Sequence, residues 1–274
     1  MRHVVNLSYG IGSWAAAKLV VQRYGPQDVT LLFCDTKYED EDTYRWGEAA
    51  AKNVGAELVV IADGRDPWEV FRDEKLVGNS RMDPCSKILK RQLSNNWRSV
   101  HCDPADTVVY CGIHWSESDR WENFDKKRNK WTGFKHRMAE LGWKAEAPLC
   151  TYKPLLPYEE LHAWAEREGL WKQKLYQEGF PHANCGGRCV KQGQAGWKLL
   201  LEKRRESYLE VERQEQEMRA FLGKDVAIMR DRGNGQTRPL TLLEFREKTE
   251  AGWSCDLFDF GGCGCFSGVD DDEP

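Results

Sequence analysis

Short apolar runs alternate with amphipathic stretches through the first 115 residues. Val4–Ser8, Val29–Phe33, Glu57–Ile61 and Thr107–Gly112 are runs rich in Val, Leu and Ile, which predict strands. Between them, Ser13–Tyr24, Glu41–Val54 and Cys85–Trp97 have the spacing and composition of helices. Such alternation predicts an α/β fold with a doubly wound, mostly parallel sheet covered on both faces. Right-handed crossovers place the loops after the first, second and fourth strands along one edge. In open sheets of this kind, that edge is where ligands bind.

The pattern changes after residue 115. Ser116–Lys144 is dense in charge and Trp without a clear period, and reads as a loop or lid around short helices. Pro154–Gly169 resembles a capped helix entered through Pro157. A long helix is predicted from Ala195 to Leu222, with an apolar face of Trp197, Leu200, Leu201, Tyr208 and Val211 and a stop at Gly223. Val226–Arg230 has the composition of a short strand. Thr241–Glu250 opens with a hydroxyl cap and an acidic residue three positions on. The chain divides into a nucleotide-binding part (1–180), a helical, Cys-rich C-terminal extension (181–268) packed on it, and an acidic tail (269–274).

Composition narrows the partners. Charged residues make up 31% and the net charge is −4, which disfavours capture of nucleic acid by the whole surface but leaves room for a local basic patch. No apolar run is long enough to span a bilayer, and Met1-Arg2-His3 leads straight into the first strand. A cytoplasmic location without a membrane partner is the expectation. In a reducing compartment the 10 cysteines point to metal or redox chemistry more than to a disulfide framework.

Candidate chemistry starts at Ser8-Tyr9-Gly10-Ile11-Gly12-Ser13, where the first strand turns into an Ala-rich helix. Glycine lets backbone approach an anion closely, hydroxyls add donors, and a helix N-terminus leaves amides unpaired. Ser8, Gly10, Gly12 and Ser13 are therefore phosphate-binding candidates. No Lys precedes Ser13, so this is not the Gly-Lys-Ser/Thr phosphate loop. Cys34-Asp35-Thr36 follows the second strand; a carboxylate there can accept from a ribose hydroxyl or hold Mg²⁺ beside phosphates.

These motifs resemble those of the PP-loop adenine nucleotide α-hydrolase superfamily, in its phosphoadenosine phosphosulfate (PAPS) reductase-like branch. Ser8–Ser13 is similar to that family's Ser-Gly-Gly-x-Asp-Ser loop, with Tyr9 where Gly is usual and Gly12 where Asp is usual. Phe33–Thr36 is similar to its Asp-Thr-Gly motif, continued here by Lys37. Asn79–Lys87 resembles its Cys…Lys element, Gly112–Arg120 its Gly-Ile-x-x-x-Glu-x-x-Arg element, and Tyr152–Leu155 its late Pro-Leu step. The resemblance runs over roughly residues 4 to 200 and lies in motif order. It implies a PP-loop, HUP-like sheet and an enzyme working at a nucleotide α-phosphate, with ATP or PAPS and Mg²⁺. Ser8, Gly10, Gly12 and Ser13 would cradle phosphate, and Asp35 with Thr36 would sit near the ribose or a metal ion. Lys87 and Arg120 would neutralise anionic charge. Its known reductases end in a Glu-Cys-Gly-Leu-His-like tail that this chain lacks, which favours ATP-dependent adenylation with sulfur transfer, or modification of a nucleotide or nucleic acid, over PAPS reduction. The acceptor is left open among tRNA, DNA and a small molecule, as is oligomerisation. A non-catalytic nucleotide-binding module of a larger complex is the reading outside enzymes.

Asn184-Cys185-Gly186-Gly187-Arg188-Cys189 and Gly262-Cys263-Gly264-Cys265 place two Cys pairs in glycine-rich turns. Four such thiolates complete a zinc site or an iron–sulfur cluster; a redox-active thiol relay is the alternative. Cys85, after Pro84 and near Lys87 and Lys90, is in a setting that favours a thiolate, as nucleophile or further ligand. His182, close to Cys185, has the position to replace one thiolate.

Overall fold

The computed structural model describes residues 1–231, 237–254 and 259–262. Its centre is a parallel five-stranded sheet. In chain order the elements are β1 (Arg2–Asn6), α1 (Ile11–Tyr24), β2 (Val29–Asp35), α2 (Glu41–Val54), β3 (Glu57–Ala62), α3 (Pro67–Asp73), a continuous helical run α4 and β4 (Thr107–Tyr110). The run α4 joins Pro84–Ser86, a π-helical segment Lys87–Gln92, and Leu93–His101. An antiparallel hairpin of β5 (Asn123–Asp125) and β6 (Lys130–Thr132) follows, then α5 (Phe134–Glu140) and β7 (Lys144–Glu146). The sheet order is β3-β2-β1-β4-β7, all parallel.

Both faces are covered because alternate strand residues point opposite ways. Val5, Leu7, Leu31, Phe33 and Tyr110 pack on Trp14 and Ala17 of α1, Trp46 and Ala50 of α2, and Leu161 of the helix α6 (Tyr158–Arg167). On the other face Val109 and Cys111 meet Phe134, Met138 and Trp143. The fold is therefore the doubly wound α/β class expected from the strand and helix pattern. The fifth strand was not expected: Lys144-Ala145-Glu146 is short and polar, and is recruited by pairing with Val108–Tyr110.

The predicted 195–222 helix is two helices, α7 (Gln194–Lys203) and α8 (Arg205–Leu222). Arg204 breaks the run with φ −140° and ψ 57°, while its guanidinium bonds Asp40 at 2.6 Å and Glu178 at 2.5 Å. Gly223 caps α8 in the left-handed region as expected. The expected strand near Val226 is β8 (Met229–Asp231), paired with β9 (Arg238–Leu240). Thr241 caps α9 (Leu242–Glu250), accepting from the Glu244 amide. Trp197, Tyr208, Val211 and Phe245 of these C-terminal helices share one apolar cluster with Tyr38, Trp68 and Phe71. Cys255, Cys263, Cys265 and the acidic tail lie outside the described residues.

Candidate functional site

Strand order reverses between β1 and β4, because the chain proceeds from β1 outward to β2 and β3 before returning to β4. A crevice opens at the carboxyl ends of strands at such a point. Here it holds a cleft of about 850 Å³, open to solvent. Its floor is Asn6, Ser8, Gly10, Gly12 and Ser13 from β1 and the turn into α1, with Cys111, Gly112 and Ile113 after β4. Glu117, Arg120, Tyr158, Tyr176, His182 and Asn184 close its sides, with Gly261 and Gly262 from near the C-terminus.

The turn is held by its own hydroxyls. Ser8 N–H donates to Ser13 Oγ at 3.1 Å, and Ser13 Oγ donates to Gly10 O at 2.9 Å. The Trp14 amide makes the first α1 bond, to Gly10 O, so those of Gly12 and Ser13 have no intrahelical acceptor. The Tyr176 hydroxyl reaches the Ile11 amide at 3.4 Å. Gly12 and Gly112 touch through backbone: a Cβ on Gly12 would stand 2.7 Å from Gly112 O, and one on Gly112 2.4 Å from Ser13 N. Only glycine at both positions lets the two loops meet.

Two non-glycine residues beside the site adopt a glycine-like backbone. Tyr9 and Lys37 both have φ near +58°, a conformation costly for residues with a Cβ. Tyr9 offsets it by burying its ring against Phe33, with centroids 3.6 Å apart; burial pushes its hydroxyl pKa up to about 12. Lys37 offsets it through Asp35, which accepts from the Lys37 amide (2.9 Å), Lys37 Nζ (2.9 Å) and Tyr44 Oη (2.6 Å). Burial works to raise the Asp35 pKa, but those hydrogen bonds win and leave it lowered.

The sequence-based candidates therefore separate. Ser8, Gly10, Gly12, Ser13 and Arg120 line the cleft, whereas Asp35 does not. Thr36 lines a second, tight cavity, together with Cys85, Cys185 and Cys189. Lys87 lines neither; Lys90, on the same π-helical segment, lines the second cavity. Glu117 is the one carboxylate lining the first cleft among the described residues. It pairs with Arg120 at 2.7 Å and accepts from Tyr158 Oη at 3.1 Å.

Two residues that the sequence did not single out for the cleft line it, and each has a buried polar atom without a partner among the described residues. Asn6, 2% exposed, accepts from Arg98 at 3.3 Å, while its Nδ2 has no partner among the described residues. His182 Nδ1 likewise has none. Burial, helped by the positive charge of Arg120 and Lys90, holds the His182 pKa down at about 4, so the ring is neutral at pH 7. His182 lines the first cleft, not the thiol-lined cavity.

One turn divides the two cavities. Pro181, His182 and Asn184 face the first, and Cys185, Arg188, Cys189 and Val190 the second. Cys185, Gly186 and Gly187 are successive left-handed residues, which reverses the chain within three positions. Arg188 clamps the turn, bonding Cys185 O at 3.2 Å and Tyr38 O at 2.9 Å with its guanidinium over the Tyr38 ring. Cys185 N–H donates to the buried Glu39 carboxylate, which lies 3.7 Å from Lys90 Nζ. The Cys185 thiol is hydrogen-bonded to Cys189; that bond, burial and Glu39 raise its pKa well above the ordinary thiol value. Among the described residues no group of three or more His, Cys, Asp or Glu is arranged to hold a metal ion. Gly261 pairs with Gln192 in an antiparallel bridge, so the chain that continues into Cys263 passes three residues from Cys189.

Fold and cleft define an open parallel α/β protein whose ligand crevice lies where strand order reverses. No protein-family model matches the chain, and no curated protein sequence matches it. Among solved structures it is similar to phosphoadenylyl-sulfate (PAPS) reductase from Candida auris, in a phosphate complex. That comparison gives 14% identity and a TM-score of 0.43, over 66% of this chain and 79% of that one.

Proposed function

We propose that the protein is a PAPS reductase-like enzyme that binds an adenine nucleotide in the first cleft and acts at its α-phosphate, adenylating an acceptor ahead of sulfur transfer or another modification. The observation that carries this is the co-location of open helix amides and Arg120 around one crevice, walled by Asn6 and His182. The Gly12 and Ser13 amides with the Ser8 hydroxyl hold the phosphate chain, and Arg120 takes up its charge. Glu117, beside Arg120, is placed to meet Mg²⁺ accompanying a triphosphate. Attack of an acceptor oxygen on the α-phosphorus breaks the bond to the β-phosphate and releases pyrophosphate. The sulfur part rests on the shared turn, since consecutive residues Asn184 and Cys185 face the two cavities.

Incubation with ATP, Mg²⁺ and candidate acceptors tests the reading: acceptor-dependent pyrophosphate release is expected. A second reading, reduction of PAPS by a thiol, is favoured by Gly261 and Gly262 lining the cleft directly before Cys263. Sulfite release from PAPS with a thiol reductant would select it. Nucleotide binding without either product would leave a binding module instead.

The thiol donor set suits a soft metal. Cys185 and Cys189 would supply two ligands and Cys263 with Cys265 the others, for zinc or an iron–sulfur cluster; Cys85 opens on the same cavity. A resident zinc or cluster would tie the C-terminus to the 181–190 turn. Cys185→Ser is expected to lose most of the metal found in anaerobically purified protein, because one ligand in four is removed. Metal content equal to wild type in folded Cys185→Ser protein would refute the site.

A further inference from the structure

The segment between β4 and β7 leaves the sheet at its carboxyl edge, beside the cleft, and carries the β5–β6 hairpin ahead of α5. Residues 123–137 contain six Lys or Arg (Lys126, Lys127, Arg128, Lys130, Lys135, Arg137) against one acidic residue, Asp125, in a chain of net charge −4. Lys135 is paired with Glu122 at 2.7 Å. Lys126, Lys127 and Lys130 are exposed and form no salt bridge among the described residues. The Asp125 carboxylate is spent on the turn itself, accepting from the Lys127 and Arg128 amides at 2.9 and 3.2 Å, with Asn129 closing it at φ 50°. The turn and the strand after it thus carry three exposed ammonium groups that form no salt bridge among the described residues.

Aromatic surface lies on the same ribbon. Phe124 and Trp131 are direct cross-strand partners, with centroids 5.3 Å apart at 66°, and they are 39% and 52% exposed. Cross-strand pairing steadies these rings, yet neither joins a core cluster. Trp131 also stacks on His136 at 5.6 Å, which fixes one ring face and leaves the rest outward. Arg120 lines the cleft and Asn123 opens the hairpin three residues later, a reach of at most about 10 Å of chain.

We infer that this hairpin binds a single-stranded polynucleotide and presents it to the cleft, which makes unpaired RNA or DNA the acceptor class of the activity proposed above. Clustered ammonium groups track a phosphate backbone and exposed rings stack unpaired bases, a combination that suits single strands over duplexes. The inference rests on the α-phosphate reading only for its catalytic meaning; binding is measured without turnover.

Fluorescence anisotropy with labelled 12-nucleotide RNA, DNA and the matching duplex, over a salt series, tests it. The single strands are expected to bind more tightly than the duplex, with a log–log salt slope of about −2 for three neutralised phosphates. K126E/K127E/K130E is expected to weaken binding at least about 30-fold and flatten that slope. Trp131→Ala is expected to cost about tenfold through lost stacking, and because K126E/K127E/K130E leaves both rings in place, the two variants separate charge from hairpin integrity. ATP affinity should stay at the wild-type value in both, so loss of ATP binding in wild type would count against the cleft reading alone. Oligonucleotide affinity unchanged in K126E/K127E/K130E, or a duplex bound as tightly as the single strands, would overturn the inference.

Discussion

Gly112→Ala is expected to abolish nucleotide chemistry while leaving most of the fold in place. Its new methyl would sit 2.4 Å from Ser13 N and 2.5 Å from Ser13 Cα, both backbone atoms with no rotamer to yield. The β4 loop must then retreat from the α1 turn, carrying Ile113 and the Glu117–Arg120 segment with it. Overpacking of this kind costs about 1–3 kcal/mol, visible as a lowered Tm. The functional loss is larger, because a shift of about 1 Å in positioning groups can cost about 100-fold in rate. Gly10→Ala is the control: its Cβ meets only the Tyr176 hydroxyl at 3.3 Å and Ser8 Oγ at 3.9 Å, both able to move. Pyrophosphate release, or sulfite release in the reductive reading, should fall about 100-fold in Gly112→Ala and only mildly in Gly10→Ala. Full turnover in Gly112→Ala would remove the cleft from consideration as the reacting site.

The strands buried on both faces were legible in the sequence because they must read as continuous apolar runs. β7 was not, since Lys144-Ala145-Glu146 has no pattern of its own and exists only by pairing with β4. The break between α7 and α8 was hidden for a related reason. Arg204 leaves the helix for Asp40, 164 residues away, and Glu178, 26 away, and no local periodicity carries that information. At the site, the cleft-lining Ser/Gly turn was legible because Ser8, Gly10, Gly12 and Ser13 are close together in sequence. Asp35 was placed near the nucleotide, yet Lys37 and Tyr44 occupy it and it does not line the cleft. Lys37, directly after Cys34-Asp35-Thr36, was the available hint, since its side chain folds back onto that carboxylate. Asn6 and His182 meet in one crevice only after folding. Cys85 and the Cys185–Cys189 pair, 100 residues apart in sequence, likewise share a cavity that spacing alone does not reveal.

Lys90→Met is expected to be the most destabilising single change near the thiols. Lys90 Nζ lies 3.7 Å from Glu39 Oε1, with side-chain exposures of 5% and 1%. Removing the ammonium leaves a carboxylate buried without its counter-charge, at a cost of about 3–5 kcal/mol. Burial already raises the Glu39 pKa, and Lys90 is the largest influence holding it down. In Lys90→Met the folded-state value therefore rises further above the unfolded value near 4.5. A raised folded pKa means the folded state takes up the proton first, so the deficit is complete above that pKa and shrinks as pH falls through it toward 4.5. Urea denaturation of wild type and Lys90→Met across pH should show this convergence. Lys90→Met/Glu39→Gln should regain much of the loss at pH 7, because a neutral amide oxygen still accepts from the Cys185 amide without needing a cation. If that double variant is no more stable than Lys90→Met, the buried charge is not the cause, and the hydrocarbon packing of Lys90 under the 181–190 turn would have to be.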